Sequence, residues 1–146
     1  MISDISGDGK ETVYIATDGN GVHFLSHKDR KVVRRFFHDV NDKEGIRSNS
    51  IYSLLVDDRG AVWVGHFQAG LDYSLYQNGL FRTYAYPPQF NSANLSIRSF
   101  VNRGPEKVIG SRDGLFYINE ATGIVKSFVK PVLTSDLILT ICFYEG

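Results

Sequence analysis

The apolar residues of this chain fall in short runs separated by turns bearing Gly, Asp and Asn, and the arrangement recurs. Residues 51–56, Ile-Tyr-Ser-Leu-Leu-Val, are largely apolar on both alternating faces, the pattern of a strand covered on both sides. Asp57-Asp-Arg-Gly60 follows as a hairpin turn in which Gly supplies positive φ. Val62-Trp-Val64 is a second doubly covered strand, and His66-Phe-Gln-Ala-Gly70 is the loop after it. Residues 71–76 alternate, with Leu71, Tyr73 and Leu75 on one face and Asp72 and Ser74 on the other. Gln77-Asn-Gly79 is a turn, and residues 80–84, with Arg82 and Thr83, read as a partly exposed outer strand. Apolar character falls from the first strand to the fourth, the gradient expected where sheets stand radially with one strand innermost. No segment holds a 3.6-residue apolar period over ten residues, so helix is expected to be scarce.

The same unit occurs on either side. Val13-Tyr-Ile-Ala-Thr-Asp-Gly-Asn-Gly-Val22, Val62-Trp-Val-Gly-His-Phe-Gln-Ala-Gly-Leu71 and Val108-Ile-Gly-Ser-Arg-Asp-Gly-Leu115 align, the third with a shorter loop. Gly21 and Gly70 lie 49 residues apart, and Gly70 and Gly114 lie 44 apart. A period of 40–50 residues holding four short strands marks a β-propeller blade. Fold class is therefore all-β. The expected architecture is a partial β-propeller of three four-stranded antiparallel blades, about 1–38, 50–86 and 96–130. The first strand of a fourth follows at about 137–144, where Ser135–Tyr144 repeats the pattern of the innermost strand. The longest connections, 39–49 and 86–95, run from the outer strand of one blade to the inner strand of the next. Three blades cannot close a ring. Apolar residues such as Val13, Ile15, Ile109 and Phe116 are expected on the open faces, and self-association through those faces follows.

Two segments carry a resemblance. Asn49-Ser-Ile-Tyr-Ser-Leu-Leu-Val-Asp-Asp-Arg-Gly60 with Val62–Leu71 resembles the two-component regulator propeller repeat. The first unit is similar, with Ala16-Thr17 where that family often has Gly-Thr. The third departs, since Glu106-Lys107 precede Val108 and no Trp is present. The resemblance implies a periplasmic sensor domain of a Bacteroides-type hybrid two-component histidine kinase, responding to an oligosaccharide or other small ligand. It also implies that any membrane contact runs through parts of a parent protein outside these residues, which carry no kinase module.

Composition adds exclusions. Lys+Arg and Asp+Glu both number 16, so no net field favours nucleic acid or an anionic membrane, and the basic stretch Lys28–Arg35 reads as an exposed strand and turn. Cys142 is the single cysteine, which rules out an internal disulfide and a cysteine metal cluster. The chain shows no targeting signal and no apolar run of membrane-spanning length. Asp4–Thr12 has the outline of a calcium loop, but Ser6 and Thr12 stand where acidic ligands belong, and it reads as a Gly-rich turn. His23 and His27 stand in a strand-turn context that does not favour a shared metal. Asp57–Trp63 resembles the structural Asp-box turn of sialidase-type propellers. No metal, cofactor or catalytic constellation is expected, and no carboxylate pair suggests glycoside hydrolysis.

Ligand contacts are expected on the loops at one end of the sheets. From the second-to-third-strand loops these are Asp18, Asn20, His66, Phe67, Gln68, Arg112 and Asp113; from the inter-blade connections they are Arg47, Tyr86, Phe90 and Asn94. Aromatic faces and planar polar groups in such a set suit a sugar. A structural or protein-interaction propeller without a small ligand is the alternative, and a lyase or glycosidase a more distant one.

Overall fold

The computed structural model describes residues 1–75, 80–84, 95–122, 124–128 and 132–144. Three four-stranded antiparallel sheets, each a simple meander, follow one another along the chain. The first holds β1 (Ile2–Gly7), β2 (Thr12–Thr17), β3 (Val22–Ser26) and β4 (Lys31–Phe36). The second holds β5 (Ile51–Val56), β6 (Val62–His66), β7 (Leu71–Ser74) and β8 (Arg82–Thr83). The third holds β9 (Ile97–Arg103), β10 (Glu106–Ser111), β11 (Gly114–Asn119) and β12 (Ile124–Phe128). The sheets stack face to face as propeller blades do. No helix long and apolar enough to cross a membrane occurs among the described residues.

Register explains the packing. Tyr14, Trp63 and Val108 are equivalent and point forward, toward the next sheet. Val13 and Ile15, Val62 and Val64, and Lys107 and Ile109 alternate with them and point back. Two cores result. Tyr14, Ala16, Phe24, Phe36, Val62 and Val64 fill the seam between the first and second sheets. Trp63, Leu71, Ile97, Ile109, Phe116 and Ile118 fill the seam between the second and third. Ile109 and Phe116, expected on an open face, are instead fully buried in this second seam, because their strand positions face backward. The open side of the first sheet does carry Ile2 at 60%, Ile5 at 59% and Val32 at 44% exposure, beside half-buried Val13 and Ile15.

The innermost strands are joined by side chains rather than by apolar contact alone. Ser3 Oγ donates to Ile51 O at 2.6 Å, Leu54 N–H donates to Asp4 at 2.8 Å, and Ser53 Oγ donates to Ile97 O at 3.1 Å. The packing here is so close that a Cβ on Gly65 would meet Ser53 Oγ and stand 2.6 Å from Ile97 Cγ2.

Residues 132–144 form no ladder among the described residues, in contrast to the expected opening strand of a fourth blade. A strand needs a paired neighbour, and no second strand of a fourth sheet occurs among the described residues. The segment nevertheless takes the matching place. Ile138 lies over Gly110 as Ile97 lies over Gly65, and its N–H donates to Ser111 O at 2.8 Å.

Candidate ligand site where the inner strands converge

Each innermost strand carries a register shift at the same point. The shifts fall between Ile2 and Asp4, between Ile51 and Ser53, and opposite Gly110/Ser111 where Arg98 is skipped. A bulge re-aims the extra residue out of the pleat. The re-aimed residues are Ser3, Tyr52 and Arg98, and all three line one cleft of ≈ 340 Å³ together with Met1, Ile2, Asp18 and Leu139. Leu139 follows Ile138 as Arg98 follows Ile97, so the segment after the third sheet contributes from the equivalent place.

The chemistry of the cleft is aromatic and polar. Arg98 Cζ lies 4.6 Å from the centre of the Tyr52 ring, and its buried Nε–H has no hydrogen-bond partner among the described residues. Phe67, 38% exposed, packs against Tyr52 with ring centroids 5.0 Å apart. Gln68 beside it holds φ at 54°, unusual for a residue with a side chain, and its N–H donates to Ser96 Oγ at 3.2 Å. This loop is thus tied to the entrance of the third sheet. Asp18 pairs with Ser50 and reaches the cleft from the first sheet.

Other loop residues named from sequence are placed differently. Asn20 is exposed, and its carbonyl accepts from His23 Nε2 at 2.9 Å. Arg112 and Asp113 are exposed in the short loop of the third sheet, with their N–H groups on Ser96 O and Ser111 Oγ. His66 is completely buried and does not reach the loop surface. Its Nε2 bonds Asp72 Oδ2 at 2.9 Å, while Arg47 reaches Asp72 through Nε at 2.7 Å and its own N–H at 2.9 Å. Burial alone would raise the Asp72 pKa. The hydrogen bond and charge of His66 and the Arg47 contacts outweigh it and hold the carboxyl below the ordinary value. Arg47 and His66 therefore clamp the connection before β5 onto β7. Tyr86, Phe90 and Asn94 lie outside the described residues.

Tyr52 and Arg98 were not among the residues expected from sequence. The available signal was an arginine and a tyrosine at matching positions, one after Ile51 and one after Ile97, within strands otherwise read as core.

The opposite ends of the sheets carry a second polar cluster. Asp57 Oδ1 accepts from Arg59 N–H at 3.0 Å and Ala61 N–H at 2.9 Å, closing its hairpin, and Oδ2 accepts from Trp63 Nε1 at 3.3 Å. Buried Lys107, at the position held by Val62 in the second sheet, donates to Gly104 O at 2.9 Å and forms ion pairs with Glu120 at 2.9 Å and Asp57 at 3.4 Å. Arg59 also pairs with Glu120. Burial lowers the Lys107 pKa against the pull of Asp57. Burial would raise that of Asp57, but the Ala61, Trp63 and Lys107 interactions prevail and lower it.

The two component regulator propeller family matches residues 45–68, from the end of the connection through β5, the Asp57 turn and β6 to Gln68. Among solved structures, the chain is similar to the extracellular domains of two proteins from B. thetaiotaomicron described as hybrid two component systems. One superposes with a TM-score of 0.71 at 23% identity, over 86% of this chain and 16% of that one. The other gives 0.68 at 23% identity, over 86% and 15%. The β-propeller domain of Cps50 (Swd1) from Myceliophteria thermophila gives 0.69 at 17% identity, over 95% and 44%. This chain thus spans about one sixth of the extracellular domains it resembles. At these identities the likenesses establish the fold, which is that of a partial β-propeller. No curated protein matches the chain.

Proposed function

We propose that this chain, which carries a two component regulator propeller repeat at residues 45–68, is part of the ligand-sensing ectodomain of a hybrid two-component sensor. It binds an oligosaccharide in the cleft where Ser3, Tyr52 and Arg98 converge. The observation that carries this reading is the repeated bulge. The same irregularity in three sheets delivers three polar or aromatic side chains to one cavity, and bulges of this kind commonly re-aim side chains at binding sites. The Tyr52 and Phe67 rings suit the C–H face of a sugar, while Arg98 and Asp18 suit its hydroxyl groups. The role is binding rather than catalysis, and the resemblance to extracellular sensor domains supports a periplasmic setting.

Thermal-shift measurements against oligosaccharides released from plant and host polysaccharides test the reading. A binding oligosaccharide at one hundred times its Kd would add about 2.7 kcal/mol to stability. Tyr52→Ala and Arg98→Ala should remove the shift. A panel without any stabiliser, or a shift indifferent to both variants, would refute it.

A protein-binding role is the second reading, favoured by the open face of the first sheet. Val13, Ile15, Leu25 and Val32 lie there in one register, unlike their buried counterparts Val62 and Val64. A second copy of the chain or another blade of the same kind would complete the packing.

A further inference from the structure

The two seams between sheets differ in one respect that bears on binding. In the first seam, the rings of Tyr14, Phe24 and Phe36 form a ladder across β2, β3 and β4, with centroids 4.7 and 4.5 Å apart. Phe81 of the second sheet closes this ladder edge-on at 4.7 Å from Phe36, over buried Ile46. The equivalent ladder of the second sheet is Trp63, Tyr73 and Tyr84. Trp63 stacks on Tyr73 at 5.2 Å and 20°, and Tyr84 stands 6.0 Å from Tyr73. Here the ladder borders a cleft of ≈ 400 Å³ whose other walls are Arg59, Leu75 and Glu120.

We infer that this inter-sheet cleft is a second sugar subsite, which takes one uncharged pyranose ring against Tyr73 and Tyr84. The inference rests on the sensing role proposed above and extends it to a separate place. The chemistry narrows the ligand. Arg59 and Glu120 are paired with each other, and Glu120 also with Lys107, so the rim offers no uncompensated charge to an ion. What remains is an apolar aromatic wall with donors and acceptors at its edge. A pyranose presents the complement, one C–H face with hydroxyls around it. The volume lies within the range of small-molecule sites. In the first seam, phenylalanines replace both tyrosines and Phe81 stands at the end of the ladder, whereas the second seam pairs tyrosine rings with the cleft.

Trp63 is the only tryptophan in the chain and lines this cleft, not the one at Arg98. Its fluorescence therefore reports directly on this site, since it is adjacent to this cleft and not to the other. The full chain is titrated with the methyl glycosides of glucose, galactose, mannose and N-acetylglucosamine. At least one should change Trp63 emission in a saturable way, with Kd in the millimolar range or tighter. Tyr84→Ala should weaken that response about tenfold or more, equivalent to about 1.4 kcal/mol. Leu75→Arg, at a 43% exposed position at the cleft mouth, should block it without disturbing the core. Arg98→Ala should leave it intact. No emission change with any of the four glycosides would overturn the inference. So would a response that survives Leu75→Arg but is lost in Arg98→Ala. In either case a thermal shift that depends on Tyr52 and Arg98 would still support the first cleft, so failure here is separable from failure of the proposed function.

Discussion

Replacing Asp57 by Ala tests how the second and third sheets are held together, and Asp8→Ala provides its internal control. The two aspartates close equivalent hairpins. Asp8 Oδ1 accepts from Lys10 N–H at 2.8 Å and Thr12 N–H at 3.2 Å, as Asp57 does from Arg59 and Ala61. At Asp8 water can replace the lost acceptor, so the cost should be about 1 kcal/mol. At Asp57 the change also strands the Trp63 indole N–H in a buried site and removes a counter-charge from Lys107. An orphaned buried donor costs roughly 1–3 kcal/mol, and a buried charge losing one of its partners adds to this, giving a total of roughly 3–5 kcal/mol. Lys107 keeps Glu120 and Gly104, which places the expectation below the cost of a wholly unpaired charge. Urea unfolding at one fixed protein concentration measures both variants. With m of about 2 kcal/mol/M, the midpoint should fall by about 2 M for Asp57→Ala and about 0.5 M for Asp8→Ala. Adding Lys107→Met to Asp57→Ala should recover part of the loss, because it removes the charge left without its partner. If the two single variants cost the same, the inter-sheet cluster adds nothing to the hairpin and the reasoning fails.

Further outcomes follow from other contacts. Asp57 and Asp72 both have lowered pKa values, so their stabilisation is complete above the ordinary 3.8 and lost as pH falls through the folded values; acid melting curves should show this loss below about pH 4, and Asp72→Asn should flatten it. Gly65→Ala places a methyl against Ser53 Oγ and Ile97 and should cost roughly 1–3 kcal/mol by calorimetry or urea unfolding. Gly110→Ala meets Ile138 as well as Ser99 Oγ of the paired strand and should expose residues 132–144 to limited proteolysis. The chain should associate with increasing concentration in sedimentation velocity, and Ile15→Asp should suppress this; a stable wild-type monomer at micromolar concentration would count against the open-face reading.

Strand order and sheet composition were legible because the innermost strands are covered on both faces and the turns carry Gly at constant offsets. The Asp57-Asp-Arg-Gly60 turn and the Val62-Trp-Val64 strand alone define a blade. Facing was harder to read. Ile109 and Phe116 look like any apolar strand residues until register decides which side they take, and a one-residue alternation decides it. The cleft at Tyr52 and Arg98 was less legible still. A bulge is a property of pairing between two strands, so nothing local to Tyr52 or Arg98 announces that its side chain leaves the pleat. His66 shows the converse. A histidine beginning a polar loop reads as exposed, but Asp72, six residues on and itself buried, draws it inward. The burial of Asp72 was equally hidden, because a carboxylate on an alternating strand reads as solvated until Arg47 arrives from the preceding connection.

The seating of Ile138 on Gly110 has a consequence for how such an array grows. An inner strand finds its berth on the sheet already made before its own hairpin partner need exist. During synthesis each finished sheet can hold the leading edge of its successor, so assembly can advance in the direction of translation, one sheet at a time. The small residue at that berth then acts as a gauge between neighbours, and a bulkier one would halt the advance at a single joint without unravelling what came earlier.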